Sequence, residues 1–167
     1  AESSGSVVRN FIITNCGVAA VYCYGASPTL SNLTIVDNQS GIYAVEGARP
    51  TITNCILWSN NNSDLYQCNA RYSCFRNGSG YGNISQEPLF VDPDNDDYHL
   101  RSRFCRYSPA HGDWVTDSDH SPCIDSGDPG DPISSEPYPN GECINMGAYG
   151  GTPEASRSID YDILQVD

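Results

Sequence analysis

The sequence predicts an all-β fold: a short right-handed parallel β-helix of about 22 residues per coil, three to four coils long, with an irregular C-terminal cap. Three observations carry this reading. The stretches "VRNFIITN", "LSNLTIVDN" and "ITNCILWSN" start at Val8, Leu30 and Ile52, each 22 residues after the one before. The repeating unit is rich in Val, Ile, Thr and Tyr and punctuated by Gly, Pro and Asn, a composition of short strands and turns. Nowhere in this repeating part do apolar positions sustain the periodicity of a helix.

The elements follow in order. Successive coils stack at the strand spacing of roughly 4.8 Å, so each residue lies against its counterpart one period later. Val8, Leu30 and Ile52 form the first apolar column. Asn10, Asn32 and Asn54 form an expected inward ladder at a coil corner, where stacked amides satisfy one another and the turn backbone. Phe11, Leu33 and Cys55, then Ile13, Ile35 and Leu57, are the apolar stacks beside it. The next strand is ambiguous. "VYCYGASP" and "IYAVEGARP" differ by one residue in their spacing to the shared Pro28 and Pro50, and a slip of one exchanges inward and outward faces. Tyr22, Cys23, Tyr43 and Ala44 therefore stay unassigned. A fourth coil is expected through "DLYQCNARYSCF", with Cys74 falling one period after Ile52 and Arg76 at the ladder position.

Composition bounds the function. The chain of 167 residues is long enough for one cored domain, here divided into coils (1–80), cap (81–158) and an acidic tail (159–167). Acidic residues number 21 against 8 Arg and no Lys, which argues against nucleic acid or an anionic membrane as partner. No apolar run approaches the length of a membrane span, and no signal peptide is evident. Because the chain begins inside the repeat, the first coil is an open strand edge, suited to an upstream coil or a second copy. Eight Cys in an acidic, Tyr-rich chain favour an extracellular, oxidising setting. Cys23 and Cys68 lie about two coils apart, beyond disulfide reach. Cys68 with Cys74 is the expected local bridge, and zinc is a poor alternative without a CxxC pair.

Beyond residue 80 turn signals dominate, in "DPDNDD", "SGDPGDP", "EPYPNGE" and "GAYGG", and the natural job of this region is to cover the last coil. The ordered set "NCILWSN", "YSCF", "GNISQEPLFVDPDNDDYHL", "SPCIDSGDPGDP" and "INMGAYGGTPEAS" resembles the C-terminal part of right-handed parallel β-helix repeat proteins, over about residues 50–158. That resemblance implies a large, secreted surface protein with a closed β-helix end, and no particular reaction. Cys105 and Cys143 depart from the family pattern, which suggests that they bond to each other.

Three site readings follow. Polysaccharide lyases and polygalacturonases share this architecture, but Arg9, Arg49 and Arg71 show no stacking in the repeat. Asp37, Glu46 and Asp64 do not align at its period either. No catalytic residue is assigned, and Asp117, Asp119 and His120 in "TDSDH" read as a solvated loop. Asp92, Asp94 and Asp96 alternate as the first oxygens of a calcium loop do, making calcium a candidate ligand although no cofactor is required; Asp125, Asp128 and Asp131 are a weaker set. Trp58, outward if Leu57 is inward, is the candidate for stacking on a sugar ring. The leading expectation is a non-enzymatic extracellular structural or adhesive module that contacts polysaccharide. A self-assembling fibre subunit and the terminal segment of a polysaccharide lyase or glycoside hydrolase are the alternatives.

Overall fold

A computed structural model describes residues 5–158; the acidic tail, 159–167, lies outside the described residues. The chain is an all-β parallel solenoid of about three turns with no α-helix among the described residues. The first coil supplies β1 (Val7–Arg9), β2 (Ile12–Thr14) and β3 (Val21–Tyr24). The second supplies β4 (Thr29–Ser31), β5 (Thr34–Val36) and β6 (Ile42–Val45). The third supplies β7 (Thr51–Thr53), β8 (Ile56–Trp58) and β9 (Leu65–Tyr66), and β10 (Ala70–Arg71) and β11 (Cys74–Phe75) begin a fourth. Three parallel sheets result, in the orders β1-β4-β7-β10, β2-β5-β8-β11 and β3-β6-β9.

The register is the one that the sequence period dictates. Val8 pairs with Leu30 and Leu30 with Ile52; Ile13 pairs with Ile35 and Ile35 with Leu57. Their inward side chains join Leu33, Ile42 and Cys55 in one core, most of it fully buried. Burial pushes the Cys55 thiol up to about 12, so it behaves as a small apolar group. The fourth coil differs from expectation. Ala70 pairs with Ile52 and Cys74 with Ile56, a shorter step than in the coils before. "YQCNA" lacks the Gly-Ala-x-Pro turn of the earlier coils, so the link from β9 to β10 is only Gln67, Cys68 and Asn69. The corner position is thus Tyr72, not Arg76.

Asn10, Asn32 and Asn54 do occupy one corner, with left-handed φ of 57°, 50° and 55°, a conformation that Asn tolerates better than other side chains. Their amides do not form an inward ladder. Asn10 donates to Ala148 O and Gly150 O at 2.9 Å, and Asn32 to Asn145 O at 3.1 Å. Asn54 donates to Asp131 at 2.6 Å, while its 3.5 Å approach to Asn32 is at the limit of a hydrogen bond. The corner therefore binds a strap, residues 144–151, that runs along the solenoid. The inward ladder is Asn38 over Asn60, both fully buried, with Asn38 donating to Asn60 Oδ1 at 3.1 Å and to Val36 O and Ile13 O. Cys16 stands one period below, and its N–H donates to Asn38 Oδ1.

The C-terminal region covers a side as well as an end. Residues 81–84 meet the last rung through an N–H bond from Tyr72 to Tyr81 O and the bridge between Cys74 and Ile84. The remainder lies on the outer face of the second sheet, where Ile56 and Cys74 pack with Leu100, Cys123, Ile124 and Met146. Within it β12 (Phe90–Asp92) pairs with β13 (Asp97–Leu100), and β14 (Arg106–Ser108) with β15 (Asp113–Val115). That is why Thr34, Ile35 and Val36 are all buried: both faces of β5 are covered.

Neither expected disulfide is seen among the described residues. Cys68 packs near Cys23, Ala44 and Ala48, whereas Cys74 belongs to the cluster under the C-terminal region, on another face of the coil. Cys143 is a thiol that donates to Gly127 O at 3.2 Å.

Candidate binding face

The third sheet is the one whose outer face shows a row of aromatic rings. Alternation along β3 turns Val21 and Cys23 inward and leaves Tyr22 and Tyr24 56% and 68% exposed. The register resolves the ambiguity left by the sequence. Tyr22 pairs with Tyr43 and Tyr43 with Tyr66, the first step falling one short of the period and the second one beyond it. The three rings are parallel, with centroids 5.6 and 4.0 Å apart and interplanar angles of 6° and 7°. Spacing close to the rung distance means that the rings stack along the solenoid. Tyr22 and Tyr66, at the two ends of the stack, are exposed, and Gln67 Nε2 lies 3.4 Å from the Tyr66 hydroxyl. The Tyr43 hydroxyl is raised from its ordinary value chiefly by its hydrogen bond to Tyr66.

A groove of about 460 Å³ adjoins this column at the next corner, lined among others by Val45, Arg49, Gln67 and Asn69. Val45 pairs with Tyr24, so the rings and the groove form one continuous surface. It offers phenol hydroxyls, amides and a guanidinium beside apolar ring carbon, and no carboxylate lines the groove. The coil half is electrically balanced, with four Arg and four acids up to residue 80. The C-terminal half holds four Arg and seventeen acids.

The residues singled out in the sequence lie elsewhere. Trp58 pairs with Val36 and faces outward, but it is half-buried beneath the C-terminal region, in a recess of about 150 Å³ shared with Pro88, Phe90 and Tyr98. Asp92 accepts from Asn95 at 2.8 Å across a 3-10 turn at Pro93–Asn95, and Asp96 follows with φ of 61°. Among the described residues no three of His, Cys, Asp and Glu converge to hold a metal ion. Asp117 is engaged with Arg106 at 2.9 Å and with the Ser102 N–H. Asp131 accepts from the Asn54 amide, and the Asp128 backbone N–H donates to Asn54 Oδ1, so this segment serves the Asn corner. Arg9 and Arg71 do share a column, with Ser31 and Thr53 between them, contrary to the expectation of no stacking; the shortened fourth coil aligns them.

The C-terminal region also buries ionisable groups. Glu136 Oε1 accepts the N–H groups of Asn145 and Gly151 at 2.9 and 2.7 Å, holding the strap from the side opposite the Asn corner. Its Oε2 and Asp125 Oδ1 are buried without partners among the described residues, and burial raises both carboxyls. Burial lowers His120.

These features define a parallel β-solenoid of about three turns whose third sheet presents an exposed aromatic face. The disaggregatase-related family model matches residues 3–127, three quarters of the chain, and the chain belongs to that family. No curated protein and no solved structure matches it. The match overlaps the coils and the first part of the C-terminal region, whereas the sequence resemblance described above spans about residues 50–158.

Proposed function

We propose that the chain is a non-catalytic extracellular surface module that holds a polysaccharide along the tyrosine column of the third sheet. The observation that carries this is the alignment of Tyr22, Tyr43 and Tyr66, with Tyr24 beside them, on an exposed face continuous with a polar groove. Tyr rings supply apolar area at small entropic cost and a hydroxyl for the sugar, and a stacked column is already ordered before the ligand arrives. The balanced charge of the coils admits acidic and neutral polymers, which the acidic C-terminal side repels or ignores.

Affinity electrophoresis through gels containing neutral or uronate polymers tests the reading. Retention of the full chain should fall at least fivefold in Tyr22→Ala/Tyr24→Ala and stay unchanged in Trp58→Phe. Equal retention of the two variants, or release of reducing ends or unsaturated uronates on incubation, removes the proposal; the second outcome favours an enzyme segment.

A second reading rests on the first rung, where Val7, Phe11 and Val18 are 61%, 59% and 74% exposed. This rung accepts a further coil or the same rung of a second copy. Residues 81–84 meet the opposite end of the two longer sheets, which favours pairing of copies over a running fibre. Sedimentation over a hundredfold concentration range separates a monomer, a dimer and an open polymer.

A further inference from the structure

We propose that Cys74 and Cys123 are a cross-linking site, forming under oxidising conditions a disulfide that joins the last coil to the C-terminal region. Both residues are fully buried, and both belong to the cluster that seals this region onto the second sheet, with Ile56, Leu100, Ile124 and Met146 around them. Their side chains pack within that one cluster, near enough to interact. The backbone holds them there from two sides. Cys74 bridges to Ile84 and its Sγ donates to Gln86 O at 3.1 Å. Two residues on, Pro88 O accepts from Ser121 Oγ at 2.6 Å, and that same Oγ accepts the N–H of Cys123. Segment 84–88 thus spaces the two cysteines, and no other thiol belongs to this cluster.

The oxidant is a low-molecular-mass disulfide, RS–SR. The Cys74 thiolate attacks one of its sulfurs, forming a mixed disulfide and expelling one thiolate, which takes up the proton Cys74 lost. The Cys123 thiolate then attacks Cys74 Sγ, forming the protein S–S bond and expelling the second thiolate, which takes up the proton from Cys123. Two protein thiols are oxidised and one small disulfide is reduced to two thiols. Reactivity requires thiolate, and burial opposes it in the closed protein. The bond therefore forms while the C-terminal region is still open, during folding or export, and closes a long loop between coil and cap. It does not depend on what the tyrosine face binds.

The test is peptide mapping of the full chain refolded in a mixture of oxidised and reduced glutathione, blocked with an alkylating reagent and digested without reduction by trypsin and a glutamyl endopeptidase. Cys74 is then alone in Tyr72–Arg76, Cys123 alone in Tyr107–Glu142, and Cys143 falls in a separate fragment. The expected product joins the first two. Linkage of Tyr72–Arg76 to the fragment with Cys68, or its recovery only in alkylated form, overturns the proposal. The bond should also raise the melting temperature by roughly 5–10 °C over the reduced chain, a shift that vanishes in Cys74→Ala/Cys123→Ala. Should that variant fail to fold, the peptide map of the unaltered chain still decides.

Discussion

The coil half and the C-terminal half reach the same degree of burial by different means. In the coils the strands pair rung to rung, and inward positions repeat the same apolar types, as in Leu30 over Ile52. Among the described residues the C-terminal half has two short hairpins, and single side chains complete its backbone bonding. Ser102 Oγ accepts the N–H groups of Phe104 and Cys105 and donates to Arg157 O, and Ser156 Oγ donates to Leu100 O at 2.7 Å. Asp117 and Glu136 act in the same way through their carboxylates. A repeat can be built from hydrophobic columns because the ladder satisfies its backbone. An irregular segment needs a polar anchor at each bend.

The largest effect should come from the shared sheet. Leu57 is fully buried in the inner core, while its neighbour Ile56 packs outward against the C-terminal region. Leu57→Ala should cost about 2–5 kcal/mol through lost transfer energy and a residual cavity. Urea unfolding followed by both tyrosine fluorescence and far-ultraviolet dichroism should move as one transition. Two separated transitions would mean that the coils and the C-terminal region unfold independently, which the common sheet forbids.

The two Asn sets sharpen the contrast. Asn38→Ala leaves the Cys16 N–H and the carbonyls of Ile13 and Val36 without their partner inside the coil, and should cost about 2–4 kcal/mol. Asn32→Ala frees only Asn145 O and Gly147 O of the strap and should cost about 1–2 kcal/mol. Hydrogen exchange distinguishes them: the second variant should speed exchange at 145–151 and leave the coils protected. The strap also depends on close approach. Gly147, with φ of +87°, would bring a Cβ within 2.8 Å of Ile56 Cδ1, and a Cβ on Gly150 would collide with Asn145 O.

Much of the fold was legible because two of the three sheets keep a strict period through the first three coils. The third was not. Its first step is one residue short and its second one residue long, so the two cancel and hide the pairing of Tyr22, Tyr43 and Tyr66. The tyrosine face went with it, and Trp58 was chosen instead because nothing in the sequence says which outward face the C-terminal region will cover. The Asn corner was located correctly and its direction misread: a left-handed φ explains Asn there as well as stacking does. Extending the same period by six positions, to Asn38 and Asn60, would have found the inward ladder.

Acidity separates the halves further. Asp125 and Glu136 are raised by burial, so the fold favours their neutral forms. Their contribution is fully present below the ordinary carboxylate range, near 4, and is lost as pH rises through the raised values. His120 is lowered, so its contribution is present above about 6.5 and is lost as pH falls through the folded value. With two groups against one, urea midpoints should decline as pH rises from about 4 through the raised carboxylate values. Glu136→Gln should flatten that decline, and an unchanged slope would show that Glu136 does not set it. Millimolar calcium should shift the melting temperature by less than about one degree, as expected where no three candidate ligands converge among the described residues.

The smallest effect on stability should be at the tyrosine column, where the functional proposal is concentrated. Tyr66 is 38% exposed and rests on Tyr43 at 4.0 Å, so Tyr66→Ala removes one stacked pair and a phenol hydrogen bond already open to water. Such a pair contributes about 0.5–1.5 kcal/mol, and the loss should lie near the low end because solvent replaces the hydroxyl contact. Tyr24→Ala should cost less still, since its ring is 68% exposed and its rung partner is Val45. A structural ladder predicts that stability losses and polymer retention fall together across Tyr22, Tyr24, Tyr43 and Tyr66. A binding face predicts that they part: Tyr24→Ala, the least costly to fold, should be among the most damaging to retention. Melting temperature and gel mobility measured on the same four variants decide between them.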